Sequence, residues 1–439
     1  MDFEDWISTF DPRRKRLLRQ AAEEYHKYGF LPKHKKFTAF IKEELLPSFR
    51  KLPHGVDSLE EMVDRLIQAP HDVTHVIAGP FLRSFLHAVK AEWGLDGPIF
   101  YASTSPVQLQ AWLEQCTKDG QKTVFWADYT MFDVTHNDDT WDFVRWLYQK
   151  DGDPLFKKVL DAWQRPRGTI RGFRYRGSSM NASGRDDTAL ANAILNGFAM
   201  SLSAVAAYLG CSVWALTPMS VQRCLGFIRI AVCGDDSLGW APAMSDLERS
   251  AFLQRLRQNI ALFGFKAKAF ASDRPEDGVF LAHRPLVVAG RYVWSRTLGR
   301  CLYKLGWQVG VSSGTDSAAW MHGVFDMHSR ISMHVPVLAD ITECYLKDAA
   351  GRAKTPCVDE KRQNFTGVGE GYDESTIVSL AAAYTHHPSA CRGDLNRRYT
   401  VVTVDWIKDL IAYVRQAVKA KTTALDHPLL ELMVELDEQ

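Results

Sequence analysis

Apolar and polar positions alternate along this chain with two different periods, and the change from one to the other marks out its elements. The segment "PRRKRLLRQAAEEYHKYG" sets Leu17, Leu18, Ala21 and Tyr25 on one face and predicts a charged amphipathic helix. "KKFTAFIKEELL" reads as a strand with a lysine near its end. "DRLIQAPHDVTHVIAGPFLRSFLHAVKAEWG" passes from a short strand through a proline break into a helix. "TVFWADYTMFDV" is a buried strand ending in acids, and "DTWDFVRWLYQK" is the helix after it. The pattern then gives a long small-residue helix in "SGRDDTALANAILNGFAMSLSAVAAYLG" and a hairpin in "FIRIAVCGDDSLGWAP". A helix and strand follow in "SDLERSAFLQRLRQNIALFGFKAKAF", and a second hairpin in "GVFLAHRPLVVAGRYVW". Beyond about residue 296 the period is helical again, as in "VDWIKDLIAYVRQAVKA", and residues 334–376 are expected as a long surface excursion. This order predicts an α+β chain with an antiparallel sheet at its centre and helical flanks.

Composition narrows the picture. At 439 residues the chain is long enough for two or three lobes, and 46% hydrophobic with 24% charged residues describes a globular protein. Lys+Arg 53 against Asp+Glu 52 leaves a formal charge of +1, so any basic surface has to be local. Eight cysteines never form C-x-x-C, which excludes the usual structural zinc spacing and predicts reduced thiols. No apolar run in the sequence is of membrane-spanning length, and the start "MDFEDWISTFDPRRKR" lacks the apolar core of a signal peptide.

Candidate chemistry lies at the strand ends. Asp128 closes one apolar strand, with Asp133 five positions on, and Asp235–Asp236 follow another. A strand-end aspartate is ordinary turn chemistry, and Gly-Asp-Asp is a good hairpin turn. Two neighbouring strands ending in acids have a second reading, in which Asp128 and Asp235 flank a pair of divalent cations that stabilise both oxygens of a phosphoryl transfer. Oxygen donors without nearby His or Cys suit Mg²⁺ or Mn²⁺. Between the acids, Ser183-Gly184 forms a loop into a helix on which Thr188 and Asn192 share a face, suited to reading a sugar and a backbone or simply to packing. "RPRGTIRGFRYRGSS" interleaves Arg171, Arg174 and Arg176 with aromatics. As an extended strand it offers phosphate and base contacts to RNA; otherwise it is an exposed charged hairpin.

The order D-x4-D, SG-x3-T-x3-N, GDD resembles motifs A, B and C of viral RNA-dependent RNA polymerases, most nearly the tombus- and noda-like enzymes of positive-strand viruses. "FIKEE" followed by "RLIQAPHDVTHVIAGPFLR" resembles motif F, "FGFKAKAF" motif D and "GVFLAHRPL" motif E, so the likeness covers roughly residues 38–288. Asp64 before Arg65 and the long gap from Lys42 depart from the motif F pattern. The short stretch ahead of motif F is what one portion of a longer replicase would have.

The resemblance implies a right-hand polymerase fold: fingers over 1–120, palm over 121–150, a fingers insertion over 151–180, palm over 181–295 and thumb over 296–439. It implies template-directed nucleotidyl transfer to an RNA 3′-hydroxyl. Asp128, Asp235 and Asp236 would be metal ligands; Asp133, Ser183, Gly184, Thr188 and Asn192 would lie around the nucleotide sugar, and Lys42 and Arg65 on the triphosphate. Lys266 or Lys268 would be the proton donor to pyrophosphate, Lys268 as catalytic acid and Lys266 as nucleotide ligand. Implied partners are RNA template and nascent strand, NTPs and other replicase segments or host factors. The implied setting is the host cytoplasm, in a membrane-associated complex anchored by another segment or protein. A reverse transcriptase and an inactivated RNA-binding palm are the rivals. The first usually carries an aromatic where this chain has Cys233-Gly234, and the second would be expected to have lost an acid.

Overall fold

The computed structural model describes residues 1–42, 66–102, 106–118, 122–148, 153–288, 290–304, 316–335, 337–348, 404–419 and 427–438. The fold is mixed α+β with sheets that are mostly antiparallel. It divides into two compact units, the first drawn from Met1–Lys42, Asp64–Ala102 and Asp119–Phe280, the second from Ser103–Lys118 and Leu281–Gln439.

The first unit is built on two sheets. Strands β1 (Lys36–Ile41), β2 (Leu66–Pro70), β5 (Arg167–Ile170) and β6 (Phe173–Arg176) form one, in the order β2-β1-β5-β6. Strands β3 (Ile99–Tyr101), β4 (Lys122–Tyr129), β7 (Arg229–Cys233), β8 (Asp236–Pro242) and β9 (Ala267–Ser272) form the other, in the order β3-β7-β8-β4-β9. Strands β4 and β8 are central and buried on both faces, which is why they read as near-continuous apolar runs instead of alternating ones.

Across the five-stranded sheet lies the helix Thr188–Leu209. Its alanines, glycine and serines let it sit close to β7 and to the helix Asp246–Leu262, and sixteen of its residues are buried. By length and composition alone it is apolar enough to cross a bilayer, a feature the sequence reading missed, but 83% of its apolar window is covered by protein. It ends at Gly210, whose φ of 73° lets its N–H return to the carbonyls of Ala206 and Ala207. The N-terminal helix Pro12–Tyr28 forms as expected but turned by a step. Leu18, Ala21 and Ala22 face inward, whereas Leu17 is exposed.

In the second unit a hairpin, β10 (His283–Val288) and β11 (Arg291–Arg296), packs against the helix Pro106–Thr117. Gln110 ties the two together, donating to the Tyr292 carbonyl at 2.9 Å and accepting from the Trp294 N–H at 2.9 Å. Helices Leu298–Lys304, Ser317–Ile331, Leu338–Asp348, Val404–Lys419 and Pro428–Glu438 enclose a separate core around Leu302, Phe325, Ile341, Leu410 and Met433. The expected surface excursion is therefore wrong over its first part. Leu338, Ile341 and Tyr345 fall at helical spacing, and all three are buried. The rest of 334–376 lies outside the described residues.

Candidate active site

Register places the acids. Strand β4 lies between β8 and β9, pairing Ala127 with Ser237 on one side and Asp128 with Lys268 on the other. One step further along the β4–β8 register brings Asp128 alongside Asp236. The β7–β8 hairpin closes on the pair Cys233–Asp236, leaving Gly234 and Asp235 as a two-residue turn. Gly234 alone of the two has a positive φ (63°), the pattern of a type II′ turn with glycine at its first central position. Turn chemistry and acid placement are thus one device: the tight turn puts Asp235 at the tip and Asp236 at the first residue of β8.

The environment of the acids is uneven. Asp128 reaches solvent, yet the protein packed around its carboxyl pushes its pKa up; the Lys268 ammonium opposes this and the Asp235 charge adds to it. Burial pushes the Cys233 thiol up to about 12, with Asp236 and Asp235 adding to it against Lys90. Cys233 is therefore a protonated thiol at neutral pH, leaving carboxylate oxygens as the donors here.

Beneath the turn sits a residue the sequence reading did not single out. Asn196, fully buried on the helix Thr188–Leu209, donates its amide N–H groups to the carbonyls of Asp235 (2.8 Å), Asp236 (3.0 Å) and Gly234 (3.2 Å). It lies one turn beyond Asn192, so T-x3-N-x3-N was the available signal. Asn192 itself donates to Asp133 Oδ1 at 2.7 Å and accepts from the Asn181 side chain at 2.6 Å. The Asn181 N–H also binds the Asp133 carbonyl at 2.8 Å. Met131, at a φ of 52°, turns the chain back after β4, so Asp133 stands on the short helical turn Phe132–Thr135, off the strand that carries Asp128.

The Ser183-Gly184 loop packs on β2. Ser183 donates to the Leu66 carbonyl at 3.0 Å and the Gly184 N–H to that of Gln68 at 3.2 Å. A Cβ on Gly184 would fall 2.5 Å from the Gln68 carbonyl oxygen, so close contact requires glycine here. Thr188 binds the Ala182 carbonyl at 2.8 Å, bracing the same loop. Arg185 and Asp187, also passed over in the sequence, form a buried ion pair. The guanidinium lies 4.3 Å and 5.0 Å from the ring centres of Trp141 and Trp163, and Tyr148 donates to the Asp187 carboxylate.

No protein-family model matches this chain, and neither does any characterised protein. The site therefore has to be read from its own residues. Three oxygen-donor aspartates, one with a raised pKa caused partly by another, fit a hard divalent cation, whose charge would relieve that repulsion. They do not converge within 4.8 Å of one another, and carboxylates shared between two ions about 4 Å apart need not. Among the described residues the cluster that does converge so closely is Glu24, His34 and His71. Three of its four ring nitrogens and its carboxylate are already engaged. Backbone N–H groups of Leu31 and Val73 occupy the two Nδ1 atoms, leaving His34 Nε2–H to donate to Glu24 Oε1 at 3.0 Å, where Lys33 also binds. Those bonds hold the Glu24 carboxyl down at about 2.

The remaining expected residues are scattered. Lys268, on β9, stands opposite Asp128 on β4. Lys266 precedes β9 as an exposed side chain, its carbonyl bound by the Thr130 N–H at 2.9 Å. Lys42 is half-buried just past β1, and Arg65 lies outside the described residues. The arginine segment is not one extended strand. Arg171 and Gly172, with φ of 44° and 87°, form the turn between β5 and β6, because Arg-Gly there satisfies the two positive φ values of a type I′ turn. Arg174 and Arg176 remain together on β6. Register aligns Arg176 with Arg167 and Arg167 with Lys36, a row of cations across three strands.

Proposed function

We propose that this chain is an RNA-dependent RNA polymerase that joins ribonucleotides on an RNA template by a two-metal mechanism. The observation that carries the reading is the adjacency of Asp128 on β4 to the Asp235–Asp236 hairpin, with the Asn192-bearing helix holding both that hairpin and Asp133. On this reading the five-stranded sheet is the palm, the sheet β2-β1-β5-β6 belongs to the fingers and residues 296–439 are the thumb.

Asp128 and Asp235 would hold two Mg²⁺ or Mn²⁺ ions, with Asp236 at their edge. The ions when bound supply activation of the 3′-hydroxyl and neutralisation of charge at the α-phosphate. The chain's own residues do the rest. Asn196 fixes the carbonyls of the turn and hence the direction of both acids. Lys268, opposite Asp128, would donate a proton to departing pyrophosphate. Asp133, held by Asn192, would accept from a ribose 2′-hydroxyl, while both ends of the Asn192 amide are engaged within the protein. Asn192 thus orients the sugar-reading carboxylate.

Single-nucleotide incorporation of matched ATP and dATP tests this. Asn192→Ala removes one hydrogen bond that orients Asp133 and should narrow the ATP/dATP efficiency ratio by about tenfold, the equivalent of one hydrogen bond to a charged group. Equal slowing of both substrates would reduce Asn192 to scaffolding. Absence of templated incorporation by the wild type would remove the polymerase reading, and a preference for dATP would favour a reverse transcriptase.

A further inference from the structure

Away from the aspartates, the first unit carries an apolar surface that nothing in the proposed reaction uses. It follows the helix Thr188–Leu209 and comprises a 3₁₀ turn, Val213–Ala215, and the helix Pro218–Cys224. Trp214 is 76% exposed and Met219 78%, and Tyr208, Leu209 and Phe227 are also exposed. The same segment also walls a groove of about 750 Å³, lined by Leu202, Val213, Leu216, Pro218, Val221 and Leu225. Exposed apolar surface of this kind on a single protein marks a contact surface.

The segment is firmly held. Buried Asn259 accepts from the Val213 N–H at 2.9 Å and donates to the Cys211 carbonyl at 3.2 Å, and Thr217 and Ser220 cap the helix reciprocally. The apolar side chains are therefore presented by fixed backbone.

Charge indicates the occupant. From Thr188 to Gly234 the chain has no acidic residue, although acids make up 52 of its 439 residues. Burial explains this along the long helix, but not over 208–227, where most positions are exposed. The cations in that region are Arg223, exposed on the second helix, and Arg255, whose guanidinium carbon lies 3.6 Å from a Cβ built on Gly210. On the Pro98 side of the groove the chain does carry Asp96, so the cationic character belongs to the 208–227 side. Tryptophan, methionine and tyrosine beside arginine, with acids excluded, is the composition of a surface that sits at the apolar–headgroup boundary of an anionic bilayer.

We infer that this face docks on anionic phospholipid membrane, with Trp214 and Met219 entering the headgroup boundary and Arg223 and Arg255 on lipid phosphates. The test is flotation of the full chain with vesicles of phosphatidylcholine alone or with about one-quarter phosphatidylserine. Wild type should float with the anionic vesicles and much less with the neutral ones. Trp214→Ser with Met219→Ser should weaken partitioning roughly tenfold, as expected for withdrawing two large apolar side chains, and Arg223→Glu should weaken it on anionic vesicles only. All three positions are exposed, so circular dichroism should be unchanged. Wild type remaining at the bottom of the gradient would overturn the inference, as would unaltered flotation of the double variant. A concentration-dependent dimer in sedimentation velocity, abolished by the double variant, would instead assign the face to a second copy of this chain. None of these readouts involves nucleotide incorporation, so they stand or fall apart from the polymerase reading.

Discussion

Asn196→Ala is the substitution that separates a turn merely carrying two acids from one held in place for them. The side chain is fully buried, and its two N–H hydrogens are shared among three carbonyls at 2.8, 3.0 and 3.2 Å. Gly234 and Asp235 lie in the turn, beyond the last pair of the hairpin ladder, so the helix supplies donors where the sheet has none. Two net hydrogen bonds at about 1 kcal/mol each give roughly 2 kcal/mol for their loss. That energy is local to the hairpin tip and equals about a thirtyfold increase in opening. Amide hydrogen exchange, read at the Cys233 and Asp236 N–H groups that close the hairpin ladder, is the assay of choice because two compact units make a single unfolding free energy ill-defined. Asn196→Asp keeps the volume but turns an unpartnered carboxylate toward three carbonyl oxygens, so it should be at least as damaging. If the aspartate variant exchanges more slowly than the alanine variant, the effect is one of packing and the donor account is wrong. Exchange within threefold of wild type in both would show that Asn196 does not hold the turn.

Two further outcomes follow from the same geometry. Because the folded-state pKa of Asp128 is raised, its contribution to stability is present at acid pH and is lost as pH rises through the folded value, leaving a cost at neutrality. Asp128→Asn should therefore stabilise the metal-free chain at pH 7 by no more than ~0.5 kcal/mol. That gain should shrink toward pH 4, and thermal midpoints in a chelator would contradict it by showing a gap that widens on acidification. Replacing Arg174 and Arg176 with alanine should reduce the log–log salt slope of single-stranded RNA binding by at most ~1.4 units; an unchanged slope would leave that hairpin as solvated surface.

Each part of the fold was legible in the sequence as far as its residue pattern could encode it. Strands β4, β7, β8 and β9 were legible because apolar runs end in residues that break them, and the turn at Gly234 was legible because only a few residue types fit a two-residue turn. For the arginine segment the sequence left an extended strand and an exposed hairpin open, and the hairpin is what forms; alternation alone cannot show that Arg171-Gly172 interrupts a strand, because positive φ at a non-glycine residue has no period to detect. Leu338–Asp348 was lost against its polar flank, although its buried residues recur at helical spacing. At the site, the aspartates and Asn192 stood out through spacing, whereas Asn196 and Arg185 did not. An asparagine among alanines looks like a tolerated polar residue until the hairpin above it supplies three carbonyls. Arg185 looks like a loop charge until Trp141 and Trp163, from two other helices, enclose it. What escaped was long-range pairing, which one chain's periodicities do not record.

Whether Asp128 and Asp235 serve one metal-dependent nucleotidyl transfer can be read from a comparison of wild type with a single variant. The most direct measurement is extension of an RNA primer on an RNA template with ribonucleotides and Mg²⁺, comparing wild type with Asp235→Ala. Asp235 is exposed at a hairpin tip, so its removal opens no cavity, and circular dichroism and RNA affinity should be close to wild type. The wild type should extend the primer, lose that activity on chelation of Mg²⁺, and Asp235→Ala should not extend it; near wild-type extension by that variant in Mg²⁺ would mean that Asp235 does not serve the metal.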